Sequence, residues 1–151
     1  MSGSRRRSIG RNSTAVVQRD SRTLVERLFA EVYNQPDIDA AMVAAGQLLT
    51  TPENVRQDLM RMRTAFPDFQ MQIEHILANR NMAFVRWSGH GTQTGTLEIS
   101  NPPLTIPASG RAVFITGNVL YTLKDGRIET RTGERDTVGL LLRLGVRFEV
   151  G

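Results

Sequence analysis

"RAVFITGNVLYTLKDGRIETRTGERD", residues 111–136, decides how this chain folds. "RAVFITGNVLYTL" reads as a strand joined to "RIETRTGERD" through the tight turn "KDG". The second arm is unusual: it has few apolar residues for a buried strand, yet it lies between the hairpin and the strongly apolar "TVGLLLRLGV". A strand has a period of two. The spacing therefore predicts Ile128, Thr130, Thr132, Glu134 and Asp136 on one face and Arg127, Glu129, Arg131, Gly133 and Arg135 on the other. One face is solvated, and the Thr, Glu and Asp face forms a polar wall.

Working outward, "QMQIEHILA" and "MAFVRWSGHGTQTGTLEI" read as two more strands joined by "NRN". The loop "SNPPLTIPASG" separates the two pairs and cannot be a central strand, because its prolines remove ladder donors. Upstream the period changes to that of a helix. Ser21 is a good N-cap for an amphipathic helix carrying Leu24, Val25, Leu28, Phe29, Val32 and Tyr33 and ending near "NQPD". Asp37 can cap a short helix stopping at Gly46. A third helix begins at a Thr50 or Thr51 cap with Pro52 in its first turn and buries Val55, Leu59, Met62 and Phe66. Helices followed by a meandering antiparallel sheet make an α+β domain. The expected architecture packs the N-terminal helices in the concave face of a strongly curved sheet, a cone-shaped α+β barrel with an interior that a polar strand face could line.

The 151 residues, 40% of them hydrophobic, suit one domain over residues 21–151 preceded by a disordered basic tail over 1–20. The high pI does not imply a nucleic-acid partner. Five arginines against Asp20 give residues 1–20 the whole net charge of +4, and the remainder carries 14 basic and 14 acidic side chains. There is no apolar run of membrane-spanning length and no signal-peptide core behind the N-terminal arginines, so neither a membrane partner nor secretion is expected. The absence of cysteine excludes disulfides, thiolate metal sites and a cysteine nucleophile, and fits a cytoplasmic protein. His75 and His90 have no acid at ligand spacing, so no metal site is expected. "GHGTQTG" does not open a helix and is no phosphate loop.

Between Phe66 and Val146 the chain resembles the SnoaL-like polyketide cyclases of the nuclear transport factor two-like superfamily. The resemblance rests on "FPDF", "AFVRWSGHGTQTG", "SGRAVFITGNVLYTLKDGRI" and "RDTVGLLLRLGV", with "LVERLFAEVYNQPDID" similar to the family's opening helix. It implies a dimer or higher oligomer of cones and an intramolecular aldol ring closure without metal or cofactor. It also implies an acid/base aspartate near the end of the last strand, a position that Asp136 matches. Four residues before it, where the family usually has an aromatic, this chain has Thr132.

Glu134, two residues from Asp136 on the expected inner face, is a second candidate: carboxylates about 7 Å apart in an apolar cavity repel and lose hydration, which raises the pKa of at least one. His90 is a third, sharing a strand face with Phe84, Arg86 and Ser88, whereas His75 is assigned to packing or an interface. Candidate substrate contacts are Tyr33, Phe69, Arg86, Trp87, Phe114, Asn118 and Thr132; Asn118 is included because a buried amide needs a partner. The expected function is a cofactor-independent cyclase of natural-product biosynthesis acting on a hydrophobic polyketide-like small molecule, by an aldol-type closure or by substrate preorganisation such as a cycloaddition, as a homodimer formed through the outer sheet face. The alternatives are another acid/base reaction of the superfamily, such as isomerisation, dehydration or epoxide opening, and a non-catalytic binding module.

Overall fold

The computed structural model describes residues 21–151; the expected tail over 1–20 lies outside them. Helix α1 covers residues 21–33, its last turn Phe29–Tyr33 widened to π geometry by the bond from Asn34 N–H to Phe29 O. Helices α2 (Ile38–Leu48) and α3 (Glu53–Ala65) follow, then β1 (Gln70–Ala78), β2 (Met82–Thr92), β3 (Leu97–Ser100), β4 (Pro103–Ile106), β5 (Ala112–Lys124), β6 (Arg127–Arg135) and α4 (Thr137–Arg143). The main sheet is antiparallel in the order β1-β2-β5-β6, and it curves around the helices as expected.

The turn chemistry of the sequence is realised locally. Asp37 accepts hydrogen bonds from the N–H groups of Asp39 and Ala40 and so caps α2. Asp125 and Gly126 both adopt positive φ, 52° and 74°, as a two-residue hairpin turn demands. Asn79 Oδ1 closes the "NRN" turn by accepting from Asn81 and Met82 N–H.

Four boundaries differ from expectation. Ser21 is already helical and fully buried, with its hydroxyl donating to Met82 O. Helix α2 runs through Gly46 to Leu48, because full burial of Leu48, worth about 1.5–3 kcal/mol, exceeds the glycine penalty of about 1 kcal/mol. Pro52 occupies the cap position of α3, and neither preceding threonine caps it with a side chain. "LEIS" and "PLTI" leave the main sheet as a separate hairpin, β3–β4, with Pro103 at a strand start where its missing donor costs no ladder bond.

Two hydrophobic clusters divide the interior. The first packs Val25, Leu28, Val32, Ala45, Leu48, Val55 and Leu59 of the helices against Ala83, Val85, Tyr121 and Ile128. The second gathers Phe66, Leu97, Ile106, Val113 and Ile115 around Leu140, Leu141 and Leu144. Trp87 touches both. Among the described residues, no helix is long and apolar enough to cross a membrane.

Candidate active site

A cavity of about 390 Å³ occupies the gap between the two clusters. Its apolar walls come from Val55, Leu59 and Met62 of α3, Met71 of β1, Trp87 of β2, and Ile115 and Val119 of β5. Two aromatics keep their places because the strand opposite offers no side chain. The indole of Trp87 lies where a Cβ on Gly117 would be, and the ring of Phe69 lies against Gly89. The carboxamide of Asn34 fixes the end of α1 to β1 by donating to Met71 O at 2.8 Å and accepting from Met71 N–H at 2.7 Å. This holds Tyr33, in the π turn, at the cavity wall.

One end of the cavity is a phenol and guanidinium cluster. Tyr121 is 1% exposed, and its hydroxyl lies 3.5 Å from that of Tyr33. Burial, with a smaller contribution from Tyr33, pushes the Tyr121 phenol well above its usual pKa, so it stays protonated at neutral pH. Arg131 donates to Tyr33 Oη at 3.3 Å. The Tyr33 oxygen can accept from both Arg131 and Tyr121, which leaves its own proton to donate to a ligand. Arg63 instead donates to Val32 O at 3.1 Å and Pro36 O at 3.4 Å, occupying carbonyls at the end of α1. Burial holds its pKa below the usual arginine range, partly offset by Asp37. Arg135, Asp58 and Glu134 complete the polar border.

The expected inner face of β6 is reversed along most of its length. Leu123 pairs with Ile128 but Thr122 pairs with Thr130, so Glu129 is an extra residue, a bulge. Beyond it Arg131, Gly133 and Arg135 pair with the inward Tyr121, Val119 and Gly117, and Thr130, Thr132 and Glu134 pair with the outward Thr122, Leu120 and Asn118. A second bulge, at Glu74, sends His75 and Leu77 outward while Met71 and Ile73 stay in.

Of the residues singled out from sequence, Tyr33, Phe69, Trp87, Asn118 and Glu134 border the cavity, the last two from outward register positions. Asp136, Thr132, His90, Arg86 and Phe114 do not border it. Asp136 is exposed at the cap of α4, accepting from Gly139 N–H at 2.9 Å and lying 3.6 Å from Arg143. Thr132 is exposed, as is His90, which pairs with Phe114. Phe114 is 49% exposed beneath the Arg143 guanidinium, 3.8 Å from the ring centroid, and Arg86 reaches Asn118 Oδ1 at 3.5 Å on the same outer face. Sequence reasoning missed Tyr121, Arg63, Arg131, Arg135 and Asp58. Tyr121 was within reach, since it alternates with Gly117 and Val119. Arg131 and Arg135 were not, because no glycine or proline marks Glu129 as a bulge.

Comparison with known proteins matches the geometry. The structure is similar to a protein of Jannaschia sp. CCS1 provisionally described as a SnoaL-like polyketide cyclase, at 18% identity and TM-score 0.72, covering 93% of this chain and 99% of that one. AclR of Streptomyces galilaeus, provisionally described as a hydroxylase, is 18% identical with TM-score 0.68 over 89% and 90% of the two chains. IdmH of Streptomyces antibioticus, provisionally described as a polyketide cyclase, is 19% identical with TM-score 0.66 over 83% and 99%. These likenesses show a shared fold. No functionally curated protein matches the chain at the level of sequence. The family model for SnoaL-like polyketide cyclases matches residues 14–144, nearly the whole length, and the chain therefore belongs to the SnoaL-like polyketide cyclase family.

Proposed function

We propose that this protein is a cyclase that promotes intramolecular carbon–carbon ring closure of a polyketide-like chain. The observation that carries the reading is a cavity with apolar walls and one cluster of hydrogen-bond donors, Tyr33, Tyr121 and Arg131, at one end. The apolar walls fold a flexible chain so that its reacting carbons meet; orientation of this kind is worth about 7–11 kcal/mol in favourable cases. In an aldol closure a carboxylate takes the proton from a carbon beside a carbonyl, and the resulting enolate attacks a second carbonyl of the same chain. The new alkoxide then takes a proton back, so no atom is gained or lost. Asp58 and Glu134 border the cavity and carry the proton in this reading, while Tyr33 donates to the oxygen on which charge develops. Asp136 serves by holding α4.

The test is ring closure of a linear poly-β-carbonyl substrate. Tyr33→Phe should slow it about 100-fold, the usual worth of one aimed donor. Glu134→Gln or Asp58→Asn should slow it by a similar factor, and Asp136→Asn should not. Unchanged rates in all of the first three variants would defeat the mechanism, and rates equal with and without protein would leave a binding module. The outer sheet face forms the homodimer, since Leu77, Phe84 and Phe114 stand exposed there at 73%, 42% and 49%. Phe84→Lys should convert dimer to monomer in sedimentation, and a monomeric parent protein would contradict this.

A further inference from the structure

We propose that the cavity selects ligands carrying a carboxylate, which Arg131 holds while Arg135, on the same strand face, draws it in. The proposal deepens the cyclase reading by naming a substrate class, and it rests on that reading only for the nature of the rest of the ligand.

The cations along the cavity differ in how many bonds they still have to give. Arg63 already donates to two backbone carbonyls. Among the described residues Arg131, half-buried, makes one side-chain hydrogen bond, to the Tyr33 phenol, although a guanidinium carries five N–H donors. The ion pairs among the described residues are Arg27 with Glu31 and Arg143 with Asp136, so neither Arg131 nor Arg135 has a carboxylate partner there within 4.0 Å. The two acids that border the cavity do not supply one: Asp58 stands on α3, and Glu134 alternates to the outer register of β6.

A charged group beside apolar walls attracts an opposite charge more strongly than it would in water, so an anionic ligand would complete this wall. Gly133, between the two arginines on the inner register, adds no side chain of its own, its Cβ position being taken by Asn118 O and Val119. A planar fork matches a carboxylate with two parallel N–H bonds, which leaves the Tyr33 proton for the reacting oxygen. The rest of the cavity is largely apolar, which fits a carbon chain ending in one acid group better than a polyanion whose other charges would face Trp87, Ile115 and Val119.

The experiment titrates the full-length protein at pH 7 by calorimetry with 6-phenylhexanoate and, separately, with its neutral isostere 6-phenylhexanamide. The acid should bind at least tenfold more tightly. Arg131→Gln should abolish that preference, and Arg131→Lys should keep only part of it. Melting curves show whether each variant folds; if Arg131→Gln does not, Arg131→Lys carries the test. Equal affinity for acid and amide, no binding of either, or a preference undiminished in the folded variants overturns the proposal. Turnover is not read. An acid preference without ring closure would therefore defeat the cyclase reading and leave this one standing, whereas ring closure of a neutral ester with no acid preference would do the reverse.

Discussion

Strands β5 and β6 are the two arms of one hairpin, yet only β5 keeps strict alternation from end to end. On β5, Val113, Ile115, Gly117, Val119 and Tyr121 all face in. It is paired on both sides, by β2 and β6, and an extra residue would break two ladders at once. On β6, an edge strand, the bulge at Glu129 breaks one ladder and turns every later side chain over. The difference shows that alternation predicts a face reliably where two neighbours hold the register, and much less so where one does.

The sharpest way to break this comparison is a pair of substitutions on either side of the bulge. Strict alternation puts Ile128 and Thr132 on the same face. The observed register buries Ile128, 1% exposed, and leaves Thr132 exposed. Ile128→Ala should cost about 2–5 kcal/mol in denaturant unfolding, and Thr132→Ala should stay within about 0.5 kcal/mol. Similar losses at both positions would restore unbroken alternation.

A smaller effect tests where β6 ends. If Asp136 serves as the α4 cap, Asp136→Ala should lose about 1 kcal/mol, whereas Asp136→Asn, which can still accept from Gly139 N–H, should lose far less. Equal losses in the two variants would show that the charge facing Arg143, rather than the cap, is what counts.

The smallest effect concerns the opposite end of the paired strands. Asp68 accepts from Thr92 N–H at 2.7 Å just past the last β1–β2 pairing, and this bond holds its carboxyl below the usual range. A depressed folded-state pKa stabilises the fold above the unfolded value, near pH 4, and that contribution fades as the pH falls through the folded value. The stability difference between the parent and Asp68→Ala should therefore be constant near neutrality and shrink below pH 4. A difference that grew on acidification would reverse the assignment.

How much of this was legible depends on how local the cause is. The hairpin turn at Asp125 and Gly126, the Asp37 cap, the helical first half and the four long antiparallel segments follow from turn chemistry, capping and period, which act within a few residues. The resemblance over "FPDF" to "RDTVGLLLRLGV" added the family. Of the site, Tyr33, Phe69 and Trp87 could be named in advance because large aromatics must be buried somewhere in a small domain.

The chemistry of the cavity was set at longer range. Thr50 N–H donates to Ile128 O, and Leu49 bridges Ile128 in parallel, so the chain leaving α2 engages the free edge of β6 one residue before the bulge. No residue near Glu129 announces that contact. Packing of α2 against the far edge of the sheet accompanies the extra residue, and the register beyond it places Arg131 and Arg135, not Thr132, on the inner face. The sequence by itself therefore determined a cone with an interior; tertiary contact at one edge decided that the strand lining it presents guanidinium groups, because a single unpaired residue inverts a period of two.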